Sequence, residues 1–345
     1  MNQLLSRRLG GFLLAASLLS SCQQDPSSPT SSGTPFAFKN SAGGGTSTAH
    51  PAITYAATTV SHNVTYATIG VMDTDAGHQT NVVTAGSSNS TENLMSPSWN
   101  YSGASITYKD IAGTASSIKA VDVSVNSSGV PVGSNVRTIY ALTTSDSATI
   151  QSGPAWCATS STGKIAFTRN HLGSQLGLSE LCTVSQSGGT VTVLASYSKL
   201  NTNHIVMSHY TSPTWSPDDA KIAVIREDTI QHSTVMIYDA SSGAALDSIP
   251  LAGGVTSLEW SRSGMNELVY LYTPNSSTPY ELYYVAPTTG STPTTNSVVA
   301  GSPTWSPNNS GIMFVNSGLK KVVPFTSSIT TISSSAGGNS LNWKR

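Results

Sequence analysis

Short apolar runs separated by polar turns recur along this chain from about residue 51 to its end. Five of them have the length and the β-branched or aromatic content of buried strands, at 106–108, 165–167, 222–225, 268–271 and 312–315. A second apolar run often follows and ends in a turn rich in Gly, Ser or Asp, as at 235–243 and 282–290, which is typical of β-hairpins. Because no segment after the N-terminal leader shows a helical period with caps, the pattern predicts an all-β protein.

A repeated phrase of the type Ser-Pro-x-Trp precedes these runs. It contains all six tryptophans of the chain, Trp99, Trp156, Trp215, Trp260, Trp305 and Trp343. Their spacings are 57, 59, 45, 45 and 38 residues, close to the ~40–50 residues of one four-stranded propeller blade. The two longest spacings predict loop insertions in the first two complete units. An open β-solenoid is the alternative, but solenoid repeats are seldom this long.

The two ends of the chain complement each other. Trp343 is followed by only two residues, so its unit lacks downstream strands. Residues 52–57 and 68–77 resemble the missing strands and turn, yet no tryptophan precedes them. The sequence therefore predicts a six-bladed β-propeller whose ring is closed by pairing the C-terminal segment with the N-terminal strands, which leaves no exposed sheet edge.

The phrase at 212–223, Ser-Pro-Thr-Trp-Ser-Pro-Asp-Asp-Ala-Lys-Ile-Ala, closely resembles the repeat of TolB-like propellers, Pro-x-Trp-Ser-Pro-Asp-Gly-x-x-Ile-Ala-Phe. Weaker copies lie at 302–314 and 153–167, and the resemblance extends over about 51–343. Two units depart from it, with Ser-Arg-Ser-Gly after Trp260 and Cys157 after Trp156. The resemblance implies a six-bladed propeller of the bacterial envelope, most often a binding or scaffolding part.

The N-terminus is predicted to be an export signal. Arg7 and Arg8 precede an apolar run at 9–19 that is too short to span a membrane. The following Leu-Ser-Ser-Cys resembles a lipobox, so residues 1–21 are predicted to be removed and Cys22 to become a lipidated anchor. An ordinary secretory signal with a chance cysteine is the alternative. Gln23 after the cysteine implies the outer membrane in the common Gram-negative sorting pattern, with the periplasmic or outer face left open.

Composition narrows the range of partners. Residues 22–50 are rich in Ser, Thr, Pro and Gly, as in a flexible tether, and residues 51–345 remain for one propeller.

Only 10% of the 345 residues are charged and the net charge is −1, which gives no sign of a nucleic-acid partner or a polybasic membrane patch. A surface of uncharged polar residues suits a protein or polysaccharide partner, or is simply a set of polar loops.

Two cysteines remain besides Cys22. Cys157 and Cys182 fall in the same predicted blade, in a compartment that permits disulfides. A bridge would close a loop of about 25 residues and contribute roughly 3 kcal/mol by chain entropy. The strand register could instead hold the two sulfurs apart, which leaves two separate thiols as the alternative.

No catalytic residue, metal site or cofactor is predicted. The sequence has no Gly-x-Ser-x-Gly elbow. Asp73-x-Asp75-x-Gly77 lacks the further ligands of a calcium loop and is explained as a β-turn. His204 and His209 would lie on opposite faces of an extended chain, which is poor geometry for one metal; the other histidines are His50, His62, His78, His171 and His232.

A tyrosine cluster is the remaining candidate site. Tyrosines can stack on sugars or anchor a protein interface, but packing between blades is the simpler interpretation; the cluster is Tyr270, Tyr272, Tyr280, Tyr283 and Tyr284.

Two functional hypotheses follow from these patterns. The preferred one is a non-enzymatic envelope lipoprotein whose propeller binds a protein or glycan. The alternative is a carbohydrate-active enzyme resembling the propeller polysaccharide lyases, some of which use several histidines and a metal in the central funnel. The alternative requires histidines or carboxylates from different blades to meet in the funnel with perturbed pKa values.

Overall fold

The structure is a computed structural model. It describes residues 49–344 except 62–63, 86–91, 144–145, 160–161, 172–177, 199–208, 230–231, 252, 275–277, 335–337 and 339. The predicted signal peptide, Cys22, most of the tether and two of the histidines, His62 and His204, lie outside the described residues. Within the described ranges no helix is long and apolar enough to cross a membrane.

Six four-stranded antiparallel sheets form the blades of a propeller. Blade 1 contains β1 (Ile53–Ser61), β2 (Val64–Met72) and β3 (Thr80–Thr84), and blade 2 contains β4 (Glu92–Trp99), β5 (Ser105–Ala112), β6 (Ala115–Val125) and β7 (Pro131–Leu142). Blade 3 contains β8 (Ala148–Trp156), β9 (Lys164–His171), β10 (Leu178–Ser185) and β11 (Thr192–Ser198). Blade 4 contains β12 (His209–Trp215), β13 (Lys221–Thr229), β14 (His232–Asp239) and β15 (Ala245–Leu251).

Blade 5 contains β16 (Gly254–Trp260), β17 (Leu268–Thr273), β18 (Glu281–Val285) and β19 (Thr294–Val299). Blade 6 contains β20 (Gly301–Trp305), β21 (Ile312–Val315), β22 (Leu319–Val322) and β23 (Ile329–Ser333), and β24 (Ser340–Trp343) returns to blade 1. The all-β prediction is confirmed, and each of the five predicted post-tryptophan runs lies in the second strand of its blade.

The last strand closes the ring. β24 pairs antiparallel with β1, from Ile53 opposite Trp343 to Ala56 opposite Ser340, and it takes the innermost place in blade 1. The predicted pairing of the two chain ends is therefore confirmed. In the other five blades the inner strand leads through a turn into the second strand, whereas in blade 1 these two strands come from opposite ends of the chain.

The core lies between the blades. Six clusters of buried side chains each contain one tryptophan and combine residues of two adjacent blades. Trp99, for example, packs against Ile69 and Val71 of the preceding blade. The tryptophan of each unit thus fills one interface between blades, which explains why the phrase repeats around the ring.

The first long tryptophan spacing does not come from a loop insertion, and that part of the sequence-based prediction is wrong. Blade 2 instead has a long outer hairpin, in which β6 has 11 residues and β7 has 12. Long paired strands place the extra residues in the ladder, so they add backbone hydrogen bonds.

The two ends of the ring are distinguished by the direction of the innermost strands. The innermost strands run from the serine to the tryptophan of each phrase, so we call the two ends of the ring the serine end and the tryptophan end. The described chain enters at the tryptophan end. There the Ala49 amide donates to the Gly129 carbonyl (3.1 Å), and the His50 amide donates to Asp73 Oδ1 (2.8 Å).

Candidate functional site

The innermost strands surround a central channel with a cavity of about 140 Å³. Its lining comes from the repeated phrase of all six blades and from Ser152, just before the phrase of blade 3. The wall is made of Ser, Pro, Thr, Gly, Ala, Leu and Asn, with one tryptophan, Trp156, and one carboxylate, Glu259. Cavities that hold a drug-sized ligand are about 300–1,000 Å³. This cavity is therefore smaller than those that enclose a drug-sized ligand.

A β-bulge shapes the channel wall in blades 2 to 6. The ladder between the first and second strands shifts register within the phrase in each of these blades. The first residue of the phrase has a positive φ in every case; these residues are Ser96 (50°), Gly153 (92°), Ser212 (51°), Ser257 (53°) and Ser302 (47°). Glycine adopts this conformation without a Cβ penalty, whereas the four serines adopt it as part of the bulge in the ladder.

The residue before each tryptophan joins its blade to the next one. Its side chain accepts a hydrogen bond from the amide of the tryptophan in the following blade. The bonds run from Trp99 to Asn342 (2.9 Å), Trp156 to Ser98 (3.2 Å), Trp260 to Thr214 (3.1 Å), Trp305 to Glu259 (3.1 Å) and Trp343 to Thr304 (2.9 Å). We call this set the inter-blade latch. Ala155 has no side-chain acceptor, so the latch has five such bonds around six blades.

Replacing Thr214 with valine is expected to lower the free energy of unfolding by about 1–3 kcal/mol, because it leaves the buried Trp260 amide without its acceptor at almost constant volume. Thr214→Ser keeps the hydroxyl and is the matched control. Denaturant midpoints measure both. A loss in Thr214→Ser without a loss in Thr214→Val would mean that the methyl group, and not the hydrogen bond, carries the effect.

A buried ion pair lies at the tryptophan end of the channel. Arg262, only 5% exposed, places Nη2 2.7 Å from Glu259 Oε1. The same nitrogen donates to the carbonyl oxygens of Trp343 (3.2 Å) and Trp305 (3.4 Å). One side chain thus contacts three adjacent blades. Arg262 occupies the place where the TolB-like repeat has proline, so this departure from the pattern has a structural role.

Neighbouring turns at this end are also joined by side chains. Asp219 accepts hydrogen bonds from the amides of Ala158 and Thr159 in the preceding blade. Asn309 bonds the backbone of Arg262 in the same way, accepting from its amide (2.7 Å) and donating to its carbonyl (3.1 Å). Both residues have a positive φ, and Asp219 stands where the repeat has glycine.

Cys157 and Cys182 are not joined in a disulfide. Cys157 belongs to the cluster that faces blade 4, whereas Cys182 belongs to the cluster that faces blade 2, so their side chains project from opposite faces of one sheet. Cys157 Sγ accepts from the Lys164 amide (3.3 Å), as Ser216 Oγ does from the Lys221 amide (2.9 Å). Burial raises the pKa of Cys182 to about 12, which keeps that thiol protonated and unreactive.

The described histidines do not meet in the channel. His171 Nε2 lies 2.9 Å from Glu180 Oε2, between blades 2 and 3, and His209 Nε2 lies 3.1 Å from Glu227 Oε2. Burial opposes ionisation of Glu180, but hydrogen bonds from His171 and Arg169 hold its pKa below the usual range. His78 pairs with Asp73 at an outer turn (2.7 Å). In the described part of the chain no group of three or more potential ligands is arranged to hold a metal.

The tyrosine cluster packs between blades, as predicted. Tyr270 stacks on Tyr283 with ring centroids 5.8 Å apart, on the side that faces blade 4. Tyr284 lies on the other face, 6.3 Å from the Trp305 ring. The turn at Asp73 is also an ordinary β-turn, in which the Gly77 amide donates to Asp75 Oδ1 (2.9 Å).

A similar solved structure supports this architecture. TolB from Acinetobacter baumannii superposes with a TM-score of 0.57 at 14% identity, over 85% of this chain and 66% of that one. This chain has the TolB-like propeller fold. The TolB-like propeller also resembles an oligogalacturonate lyase in complex with manganese, with 12% identity, a TM-score of 0.48 and coverage of 78% and 76%. No family model matches the sequence, and no curated protein matches it.

The latch of the TolB-like propeller is the feature that sequence inspection missed. A signal was present, because four of the six residues before the tryptophans have a hydroxyl or carboxamide side chain and one has a carboxylate. The acceptor role depends on how consecutive blades lie side by side. Arg262 is a departure from the repeat in the sequence, but its contact with three blades depends on the reach of its side chain.

Proposed function

We propose that this chain is an envelope lipoprotein, anchored through Cys22, whose propeller is a non-enzymatic module that binds a protein or glycan partner at one end of the ring. The observation that carries the proposal is the use of the polar groups in the channel. Ser98, Thr214 and Thr304 accept latch bonds. The carboxylate of Glu259 is bonded to Trp305 and paired with Arg262. Groups held in this way stabilise a scaffold rather than act on a substrate.

Recognition would use the ends of the ring. Propeller blades form a rigid support, and loops on such a support commonly carry binding residues. The small channel and its engaged side chains leave the ends of the ring as the larger surfaces available to a partner. The lyase alternative gains no support from the described channel lining, where a single carboxylate and no histidine occur.

The anchor is tested in cells that express the full chain and are fed an alkyne fatty acid. We expect the wild-type protein to be labelled and to sediment with outer membranes, and Cys22→Ser to lose both properties. Cys157→Ser is the control, since other blades already use serine at that position, and it should stay labelled. Labelling of the Cys22→Ser protein would contradict the predicted anchor.

Binding is tested by cross-linking the intact protein in its own cells and identifying what is joined to it. The proposal expects one envelope protein or polysaccharide to be recovered reproducibly from the wild-type chain. Recovery should fall for a variant with an opened ring, such as Trp343→Ala, because the binding end requires all six blades. Equal recovery from both proteins would place recognition outside the closed ring.

A further inference from the structure

The turn between the third and fourth strands differs in blade 6 from the same turn in the other blades. Each of these outer turns contains a residue with a positive φ; the residues are Ala76 (65°), Gly129 (76°), Gly188 (84°), Gly243 (73°), Gly290 (85°) and Phe325 (59°). Glycine suits this conformation, whereas a bulky side chain with a positive φ is unusual and strained. Blade 6 therefore holds an aromatic residue in a place where it makes the turn less favourable.

Phe325 is also half exposed. Its ring centroid lies 4.7 Å from that of Tyr284, but 52% of the residue remains open to solvent, together with 46% of Val323 and 46% of Ile329. We call these three residues the Phe325 hairpin. The tips of the other outer turns are Ser-Ser-Gly in blades 2 and 4, Ser-Gly-Gly in blade 3, Thr-Thr-Gly in blade 5 and Thr-Asp-Ala in blade 1. The aromatic tip is thus confined to one blade of six.

The position of the hairpin suggests what covers it. The outer turns lie at the tryptophan end, where the described chain enters through the Gly129 and Asp73 contacts. Cys22 precedes Ala49 by a segment that can span at most about 95 Å and has a root-mean-square length of roughly 30 Å if it is a coil. A domain of this size has a radius of gyration of about 19 Å. The tether joins the ring at the end that carries the hairpin, and its length is sufficient to bring that end to the bilayer.

We propose that the Phe325 hairpin is a membrane-contact element that inserts into the interfacial layer of the lipid bilayer to which the chain is anchored. The inference rests on the proposed anchor at Cys22. Aromatic and aliphatic side chains at an exposed tip are the groups that favour this layer. The hairpin would hold the tryptophan end against the membrane and direct the serine end towards a partner.

The charges at this end point to apolar contact rather than attraction to lipid headgroups. Lys321 and Lys344 project there over the rings of Trp343 (5.9 Å) and Trp99 (5.6 Å). Other charges at this end are mixed in sign, with Lys164 and Lys221 at strand starts and Asp73, Asp75, Asp218 and Asp239 in or beside the turns. We therefore expect the contact to depend little on salt, since screening weakens charge attraction between exposed groups but not apolar burial.

The test uses the processed full chain, purified from bacterial membranes and reconstituted in vesicles of phosphatidylethanolamine and phosphatidylglycerol. An environment-sensitive fluorophore is attached at Ser327→Cys, beside the hairpin, or at Ser242→Cys, in the polar outer turn of blade 4. Quenching by a lipid-borne quencher reports contact. We expect quenching at position 327 and little at 242, and we expect Phe325→Gly to lower the ratio of contacting to free domains about tenfold, as partial loss of a buried aromatic predicts.

Phe325→Gly also separates contact from folding. Glycine relieves the left-handed strain, so the thermal midpoint should stay the same or rise while contact is lost. Equal quenching at both positions, no quenching, or quenching that survives Phe325→Gly would each overturn the proposal. Changes at position 327 in detergent that grow with protein concentration would identify a second copy of the chain as the occupant and also overturn it.

The mass of the N-terminal peptide tests the proposed anchor separately, because acylation increases it. If the chain is acylated but position 327 is not quenched, the membrane-contact proposal is wrong and the anchor stands. If an unacylated chain added to vesicles is quenched at position 327, the membrane-contact proposal stands and the anchor proposal is wrong.

Discussion

Replacing Arg262 with methionine is expected to lower the free energy of unfolding by about 3–5 kcal/mol, the usual cost of removing one partner of a buried ion pair. The change leaves the Glu259 carboxylate without its cationic partner. It also leaves the carbonyl oxygens of Trp305 and Trp343 without their donor. Denaturant unfolding followed by tryptophan fluorescence measures the loss.

The double variant Glu259→Gln with Arg262→Met is the control for this prediction. Glutamine keeps an oxygen for the Trp305 amide and removes the unpaired charge, so most of the lost stability should return. If the double variant is as unstable as Arg262→Met alone, the damage comes from the lost contacts with blades 6 and 1 instead of from the ion pair.

Replacing Trp343 with alanine is expected to cost about 3–5 kcal/mol, as for other large buried aromatic residues, and also to open the ring. β24 has four residues and is held to β1 through four opposed pairs. Its loss would expose the edge of β1, an open site for aggregation. Hydrogen exchange should therefore quicken in β24 and along the facing half of β1 before the rest of the domain unfolds.

Trp305→Ala is the matched comparison, because Trp305 is buried in the equivalent place of blade 6. There the inner strand continues directly into the second strand of its own blade, so a similar loss of stability should occur without selective opening. Selective exchange at β20 to the same extent as at β24 would show that ring closure is no weaker than the other blades.

The architecture was readable from the sequence because propeller blades repeat local signals. Each phrase carries its own tryptophan, so the period and the pairing of 52–57 with the C-terminal phrase follow from one pattern that occurs six times. The long hairpin of blade 2 was not predicted, since extra residues in strands and in loops give the same tryptophan spacing.

Contacts between blades were less predictable. The separation of Cys157 and Cys182 depends on which face of the sheet each side chain occupies. Cys157 directly follows β8, Cys182 lies in β10, and β9 runs between them. The latch and the reach of Arg262 across three blades join residues 39 to 243 positions apart in sequence. Contacts of that range depend on ring geometry, which a local pattern does not contain.

The measurement that tests the central claim most directly is incubation of the intact protein with a panel of envelope and plant-type polysaccharides, with and without divalent metal ions, followed by product analysis. A non-enzymatic binding module should retain a specific glycan or protein and leave every sugar chain at its original length. Metal-dependent shortening of a polysaccharide, lost when His171 or His209 is replaced by alanine, would contradict this account and establish the lyase alternative.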